Sequence, residues 1–369
     1  MPQQQTDSAP PRRQRQFSRR RVVGGGMALA AGWLLVACGD DAPPLVADGS
    51  EAESDQSPSG AQSVDRGSDA GQIGPAEDAG STLEEEPLIF VVPRTVRQGE
   101  SFVVAVDGPG AGFASVAFNG QFISLLREGS RFFSILGLDA LTPPGPMPLT
   151  VAVADASGRP RVQRETLITV TDAQWLIEVV ELDESNSDLL DPVILAEDAA
   201  ARDPIFRVES PERHWDGIFD PPSTGVITSS YGVLRSYNSR EPQEYHSGLD
   251  FGAESGSPVL APNAGVVAWV GQTRRRGNGV LIDHGGGVFS GFYHLSEVFA
   301  AEGQVVNIGE FIGRVGATGL ATGPHLHWEV VVHGVTVDPV QWIRLLNFPD
   351  PLAEFDPANA IQGPNQLRS

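Results

Sequence analysis

All seven histidines of the 369-residue chain lie after residue 213: His214, His246, His284, His294, His325, His327 and His333. Two short patterns hold three of them. One is His246-Ser247-Gly248-Leu249-Asp250, the other His325-Leu326-His327. On a strand, residues i and i+2 project to the same face, so His325 and His327 should point into one pocket. Val330-Val331-Val332 continues that strand. In the first pattern, a turn at Gly248 lets His246 and Asp250 converge. Two imidazoles and one carboxylate with an open fourth position suit a catalytic Zn2+. Each pattern alone also occurs in ordinary cores. The two together, with a third histidine in Phe292-Tyr293-His294-Leu295, point to a metal site.

The elements around these residues read as short strands and turns. Ser257-Pro258-Val259-Leu260-Ala261 and Gly265-Val266-Val267 form one hairpin pattern, and Gly277-Asn278-Gly279-Val280-Leu281-Ile282-Asp283-His284-Gly285 a further strand. His284 falls at a strand end before Gly285-Gly286-Gly287 and reads as structural. His214 and His333 read as surface or packing residues, and Trp269, Trp328 and Trp342 as core. Trp328, next to His327, should point to the opposite face.

Taken in order, these motifs resemble the LytM/lysostaphin-type zinc endopeptidases. The resemblance runs from Thr228 to Trp342. It rests on Tyr245-His246-Ser247-Gly248-Leu249-Asp250-Phe251, Tyr293-His294-Leu295, Gly316-Ala317-Thr318-Gly319, Thr322-Gly323-Pro324-His325-Leu326-His327-Trp328-Glu329 and Val337-Asp338-Pro339. It implies that His246, Asp250 and His327 ligate Zn2+ and that His294 and His325 are the catalytic pair. The chemistry fits that division. Zinc lowers the pKa of a bound water toward ~7. A neutral imidazole beside it can take a proton and pass it to a leaving amine, and a second can donate a hydrogen bond to a developing oxyanion. Tyr231 stands where the family more often has Phe. Arg274-Arg275-Arg276 reads as a solvated hairpin tip, with contact to an anionic glycan or teichoic polymer as the alternative.

Upstream, residues 87–172 hold about seven β-rich runs separated by turns, among them Phe102-Val103-Val104-Ala105-Val106, Ala114 to Phe118, Gln121 to Leu126 and Phe132 to Leu136. Asn119-Gly120 between two runs is a hairpin signal. Such spacing predicts a β-sandwich, and the resemblance extends loosely to the immunoglobulin-like domain that precedes some of these peptidases. Glu181 to Arg213 is polar, with a helix expected around Ile194 to Arg202.

The N-terminal region reads as an address. Arg19-Arg20-Arg21 precedes an uncharged run from Val22 to Ala37 that ends in Leu35-Val36-Ala37-Cys38. This is the order of an export signal, and the last four residues resemble a bacterial lipobox, which would lipidate Cys38. Gly39 to Glu86 carries thirteen acids and one Arg and almost no aromatics, so an extended spacer is expected. The net charge of −22 excludes a nucleic-acid role, which needs clustered cations. A single Cys excludes a disulfide scaffold or a multi-Cys metal site.

The expected fold is all-β, a β-sandwich of immunoglobulin type followed by a LytM-like antiparallel sheet domain. The expected organisation is an export signal over 1–37, Cys38 and an acidic linker to 86, the sandwich over 87–180, a connector over 181–224, the peptidase domain over 225–345 and a tail over 346–369. The expected function is zinc-dependent endopeptidase action on peptidoglycan peptides in cell-wall remodelling. The chain would be exported and held on the membrane at the cell envelope by its lipid. Two rivals are a non-catalytic module that binds wall or activates another wall hydrolase, and a peptidase of secreted proteins.

Overall fold

The computed structural model describes residues 86–208, 210–242, 244–343 and 351–361. The export signal and Cys38 lie outside the described residues. Strands dominate, so the all-β expectation holds. Among the described residues no helix is long and apolar enough to cross a membrane.

The sandwich pairs two sheets. One has four strands in the order Leu88–Val92, Ser101–Asp107, Arg131–Gly137, Leu126–Glu128. The other has five, in the order Thr95–Arg97, Pro160–Thr171, Gly145–Ala154, Phe113–Phe118, Gln121–Ser124. Asn119 and Gly120 form the hairpin turn between two of these strands, with φ of 48° and 76°, the left-handed pair such a turn requires. The run Gln121 to Leu126, read from sequence as one strand, divides at Leu125. Its halves join different sheets, which places Phe122 in solvent and Ile123 and Leu125 in the core.

The four-stranded sheet is buried on both faces. Ile89, Phe102, Val104 and Val106 fill the interior of the sandwich. Phe90, Val103, Ala105, Phe133 and Ile135 face the other way and share a core with the C-terminal domain, packing with residues such as Val332, Val337 and Trp342. Phe102-Val103-Val104-Ala105-Val106 therefore shows no polar alternation because neither face meets water. The sandwich and the C-terminal domain are one packed body, where the sequence reading had separated them.

The C-terminal domain is built on an eight-stranded sheet whose paired strands are all antiparallel. Its order is Val226–Ser229, Leu249–Gly252, His325–Val332, Val288–Leu295, Gly277–Gly285, Gly265–Thr273 and Val305–Val306, with Val335–Val337 paired to the third of these. Leu249, Phe251, Phe292, Leu326, Trp328 and Val330 point to the shared core. The opposite face carries Leu281, Phe289, Tyr293 and Val331 under Phe206.

Three boundaries differ from expectation. Ile177–Val180, placed with the sandwich, pairs parallel with Leu234–Tyr237 of the C-terminal domain. Trp215 and Phe219, placed in the connector, stack on Trp342 with ring centroids 6.0 and 5.1 Å away. The stretch from residue 351 to 361, placed in a tail, returns to the sandwich. Phe355 packs on Phe90, and the Ile361 N–H donates to the Ile89 carbonyl at 2.8 Å.

Candidate metal centre

Sheet register brings the first two groups together. Asp250, His327 and Tyr293 are direct cross-strand partners on three adjacent strands. Alternation places Asp250 and His327 on the face opposite the Trp328 core. His246 arrives from the turn before the Leu249–Gly252 strand, its N–H bonded to the Val233 carbonyl at 2.8 Å and its carbonyl to the Gly232 N–H at 2.8 Å. The ligating atoms of His246, Asp250 and His327 lie within 4.8 Å of one another, and all three residues are buried. His246 Nε2 is 2.9 Å from Asp250 Oδ1 and 2.9 Å from His327 Nδ1, and His327 Nδ1 is 2.7 Å from Asp250 Oδ1.

The outer ring nitrogens decide what these inner atoms are. His246 Nδ1 lies 2.9 Å from the Ser230 carbonyl, so it carries the hydrogen. Burial pushes the His246 pKa down to about 4, against the pull of Asp250. The ring is therefore neutral with a single N–H, and Nε2 presents a lone pair. His327 Nε2 faces the Glu329 carboxylate at 3.3 Å, which leaves its Nδ1 as the inward lone pair. Burial works against the charge of Asp250, and pairing with the Arg235 guanidinium favours the ionised carboxylate. Two lone pairs and a carboxylate oxygen thus converge with no proton to share. This donor set fits a divalent cation, and its two nitrogens and one oxygen are those of catalytic zinc sites. The second carboxylate oxygen of Asp250 is taken by Arg235 Nη2 at 3.0 Å.

His294 and His325 stand beside this cluster, their ring centroids 4.7 Å apart. His294 Nδ1 donates to the Thr318 carbonyl at 2.7 Å and His325 Nδ1 to the Gly323 carbonyl at 2.9 Å. Each ring keeps Nε2 free of those backbone bonds, and His325 Nε2 lies 3.9 Å from Asp250 Oδ1. Burial, with His325 and His327 as neighbours, holds the pKa of His294 well below its ordinary value. A neutral imidazole here can accept a proton.

Of the remaining histidines, His284 is fully buried between the Ala264 carbonyl at 2.8 Å and Ser290 Oγ at 2.9 Å, away from the cluster. His333 Nε2 lies 2.9 Å from Ser134 Oγ of the sandwich. His214 donates its N–H to the His284 carbonyl at 2.8 Å. The Arg274–Arg276 loop is not a solvated tip. Only Arg274 is exposed. Arg275 pairs with the half-buried Glu244 at 2.5 Å, and Arg276 pairs at 2.5 Å with the buried Glu329, which needs a counter-charge.

Sequence reasoning missed Arg235, Glu329, Ser247 and Arg276 as members of the site. A signal existed for one of them: Glu329 continues the i, i+2 alternation of His325 and His327. The cavity at the site is small, about 40 Å³, and is lined by Arg235, Tyr237, Tyr245 and Leu320 together with His246, His294 and His327.

Residues 244–339 match the family model of Peptidase family M23. This segment, the M23 domain, is similar to the peptidases of that family. It contains His246, Asp250, His294, His325 and His327. Over 114 residues the chain is 46% identical to DD-carboxypeptidase/endopeptidase Mpg of Neisseria meningitidis serogroup B, covering 31% of this chain and 26% of that protein. Over 115 residues it is 36% identical to peptidoglycan DD-endopeptidase ShyA of Vibrio cholerae, covering 31% of this chain and 27% of that protein. A solved structure from Pseudomonas aeruginosa assigned to peptidase M23 is 30% identical, covers 66% of this chain and 94% of that chain, and superposes with a TM-score of 0.49. The chain spans about a quarter of the length of the curated relatives it matches.

Proposed function

We propose that the M23 domain is a zinc-dependent endopeptidase that hydrolyses peptide bonds in the stem peptides or cross-bridges of peptidoglycan. The observation that carries the reading is the convergence of His246 Nε2, Asp250 Oδ1 and His327 Nδ1, with the His294 and His325 rings beside them. The name of the Vibrio cholerae relative supplies the substrate class.

His246, Asp250 and His327 would hold Zn2+. Bound there, the ion would supply Lewis acidity and activate a water at neutral pH. The protein supplies the rest. Asp250 is kept charged by Arg235 on its second oxygen, so its first oxygen presents negative charge to a cation. His294 and His325 are fixed through Nδ1–H bonds to backbone carbonyls, which aims Nε2 of each away from the backbone. One Nε2 takes the proton of the attacking water and returns it to the leaving amine, and the other, when protonated, steadies the developing oxyanion.

The test is digestion of purified peptidoglycan by the full chain, with mass analysis of the fragments and metal analysis of the same preparation. Near-stoichiometric zinc with new peptide termini is the expected result. Zinc without cleavage would favour a module that binds wall or activates another hydrolase. Cleavage of secreted proteins alone would move the substrate class.

Export and anchoring belong to the same proposal and rest on Leu35-Val36-Ala37-Cys38 after Arg19-Arg20. Cys38→Ala should lose detergent partitioning and appear in the soluble fraction. Unchanged partitioning with residues 1–37 still attached would overturn it.

A further inference from the structure

A buried charge cluster lies behind His327. Glu329 is on the same strand face, and its side chain is 0% exposed. Its Oε1 accepts from Arg276 Nη1 at 2.5 Å and from Ser247 Oγ at 2.6 Å, and faces His327 Nε2 at 3.3 Å. Its Oε2 faces Arg202 Nη1 at 3.4 Å. Arg202 lies outside residues 244–339, on the connector helix Pro192–Arg202.

That helix is built to reach the cluster. Asp191 caps it by accepting from the Val193 N–H, Pro192 opens it, and Arg202 closes it, where a cation suits the helix dipole. Asp198, one turn before Arg202, is buried and accepts from the backbone N–H groups of Arg275 at 3.2 Å and Arg276 at 3.4 Å. It also lies 3.6 Å from Arg202 Nε. The helix is thereby pinned to the hairpin tip, with the Arg202 guanidinium 5.6 Å from the Tyr293 ring centroid.

The charges balance only with Arg202 present. Two buried carboxylates, Asp198 and Glu329, face two guanidiniums, Arg202 and Arg276. Without Arg202 both acids would share Arg276, which already lies 3.9 Å from Asp198. Oε2 of the unexposed Glu329 would lose its partner, a costly state for a buried charge. The carboxylate would then turn, and His327 Nε2 would lose a fixed acceptor. Acceptors of this kind set which nitrogen of a metal-ligating histidine faces the ion.

We propose that Arg202 is a positioning residue of the metal centre: it fixes Glu329, which in turn holds His327 with Nδ1 facing His246 and Asp250. The proposal rests on the reading of His246, Asp250 and His327 as a zinc site. It makes the connector helix part of the M23 machinery rather than a spacer.

The experiment measures zinc affinity of the full chain by chelator competition for wild type, Arg202→Met, Arg202→Lys, Glu329→Gln and the Arg202→Met/Glu329→Gln double variant. Arg202→Met and Glu329→Gln should each weaken zinc binding by about 10–100-fold, the range for outer partners of metal ligands. Arg202→Lys should recover part of the loss. In the Glu329→Gln background, Arg202→Met should add less than about twofold, because both act through one path. A second readout is nitrogen NMR of His327 in metal-free protein, which should show the hydrogen on Nε2 in wild type and a mixture of tautomers in Arg202→Met. If Arg202→Met does not fold, Arg202→Lys carries the same cycle. Zinc affinity within about twofold of wild type in the Arg202 variants, or losses that add in full, overturns the proposal. Wild type that binds no zinc overturns the metal site and the proposal with it, whereas an unmoved variant of a zinc-binding wild type overturns the proposal alone.

Discussion

Tyr293 and His294 are neighbours on one strand, yet both rings lie 5.9 Å from the ring of His327. Strict alternation would send His294 to the face of Phe292 and Trp328, into the shared core. The backbone prevents this. His294 has φ of 61°, in the left-handed region that a non-glycine residue rarely adopts. The kink turns the imidazole back to the metal side, and the Thr318 carbonyl holds it there. Holding such a conformation costs on the order of 1–2 kcal/mol, and residues of this kind cluster at functional sites.

Two outcomes separate the strain from the chemistry. His294→Ala and His325→Ala should retain zinc and fold, and lose on the order of 10²–10⁴ in peptide-bond cleavage, the range for a proton-transfer or oxyanion group. His294→Gly should be equally inactive but more stable than His294→Ala by about 1 kcal/mol, because glycine adopts positive φ freely. Chemical denaturation checks the second point, and cleavage with metal analysis the first. Cleavage by both alanine variants at the wild-type rate would refute the mechanism.

Gly248 sits between the two first ligands for a steric reason. A Cβ placed there would lie 2.4 Å from the Trp328 carbonyl oxygen and 2.9 Å from both Cε1 and Nε2 of His327. The carbonyl belongs to the central sheet and cannot move cheaply, so the turn or the His327 ring must give. Gly248→Ala should therefore weaken zinc binding at least tenfold, about 1.4 kcal/mol, with overall secondary structure kept. Metal titration of the variant followed by circular dichroism checks it. Unchanged zinc affinity would show that the turn relaxes without disturbing His327.

The pairing of His325 and His327 on the His325–Val332 strand was legible in sequence because alternation is a local rule and that strand obeys it. Asp250 and His246 were legible because a glycine turn joins them within five residues. His294 was noted as a third histidine, but its role came only through the resemblance, since its strand breaks alternation at that residue. Arg235, Arg276 and Arg202 were not found. Each acts on a charge brought from a distant segment, and burial, not spacing, is what makes those charges need partners. The same cause hid the shared core. Val103 and Ala105 read as ordinary strand residues, and only the packed structure shows that Trp342 and Val337 lie in the core with them.

The pH dependence of folding follows from buried neutral histidines. His284 is the cleanest case, because it stands apart from the metal cluster. Burial pushes its pKa down to about 4 from 6.5, with only the Ala264 carbonyl pulling it back. Between those values the unfolded chain binds a proton that the native protein does not. Stability therefore falls as pH drops from about 6.5 toward about 4, with a slope near 1.4 kcal/mol per pH unit for this one group. His246, His294 and His333 shift in the same direction and steepen the loss. Urea unfolding of metal-free protein at several pH values should show this fall. His284→Gln, with no titrating group at that position, should flatten the curve by about one proton. An unchanged slope would mean that His284 is protonated inside the fold.

Tyr231 ties the sandwich to the M23 domain. Its hydroxyl donates to the Thr336 carbonyl at 2.8 Å and accepts from the Ala140 N–H at 3.1 Å, and its ring is buried against Trp175. Nearby, the Tyr245 hydroxyl reaches Asp139 of the same sandwich loop and lies 2.8 Å from Thr336 Oγ1. Tyr231→Phe keeps the ring and leaves the Thr336 carbonyl and the buried Ala140 N–H without this partner. The cost of leaving such groups unpaired is about 1–3 kcal/mol. For a folded body of this size that corresponds to a fall in Tm of roughly 2–4 °C per kcal/mol. Because the four-stranded sheet is shared core, sandwich and M23 domain should melt together, and calorimetry of wild type should show one transition that the variant shifts as a whole. Two transitions, of which Tyr231→Phe moves only one, would show that the two halves fold apart and that the contact at Tyr231 is not what joins them.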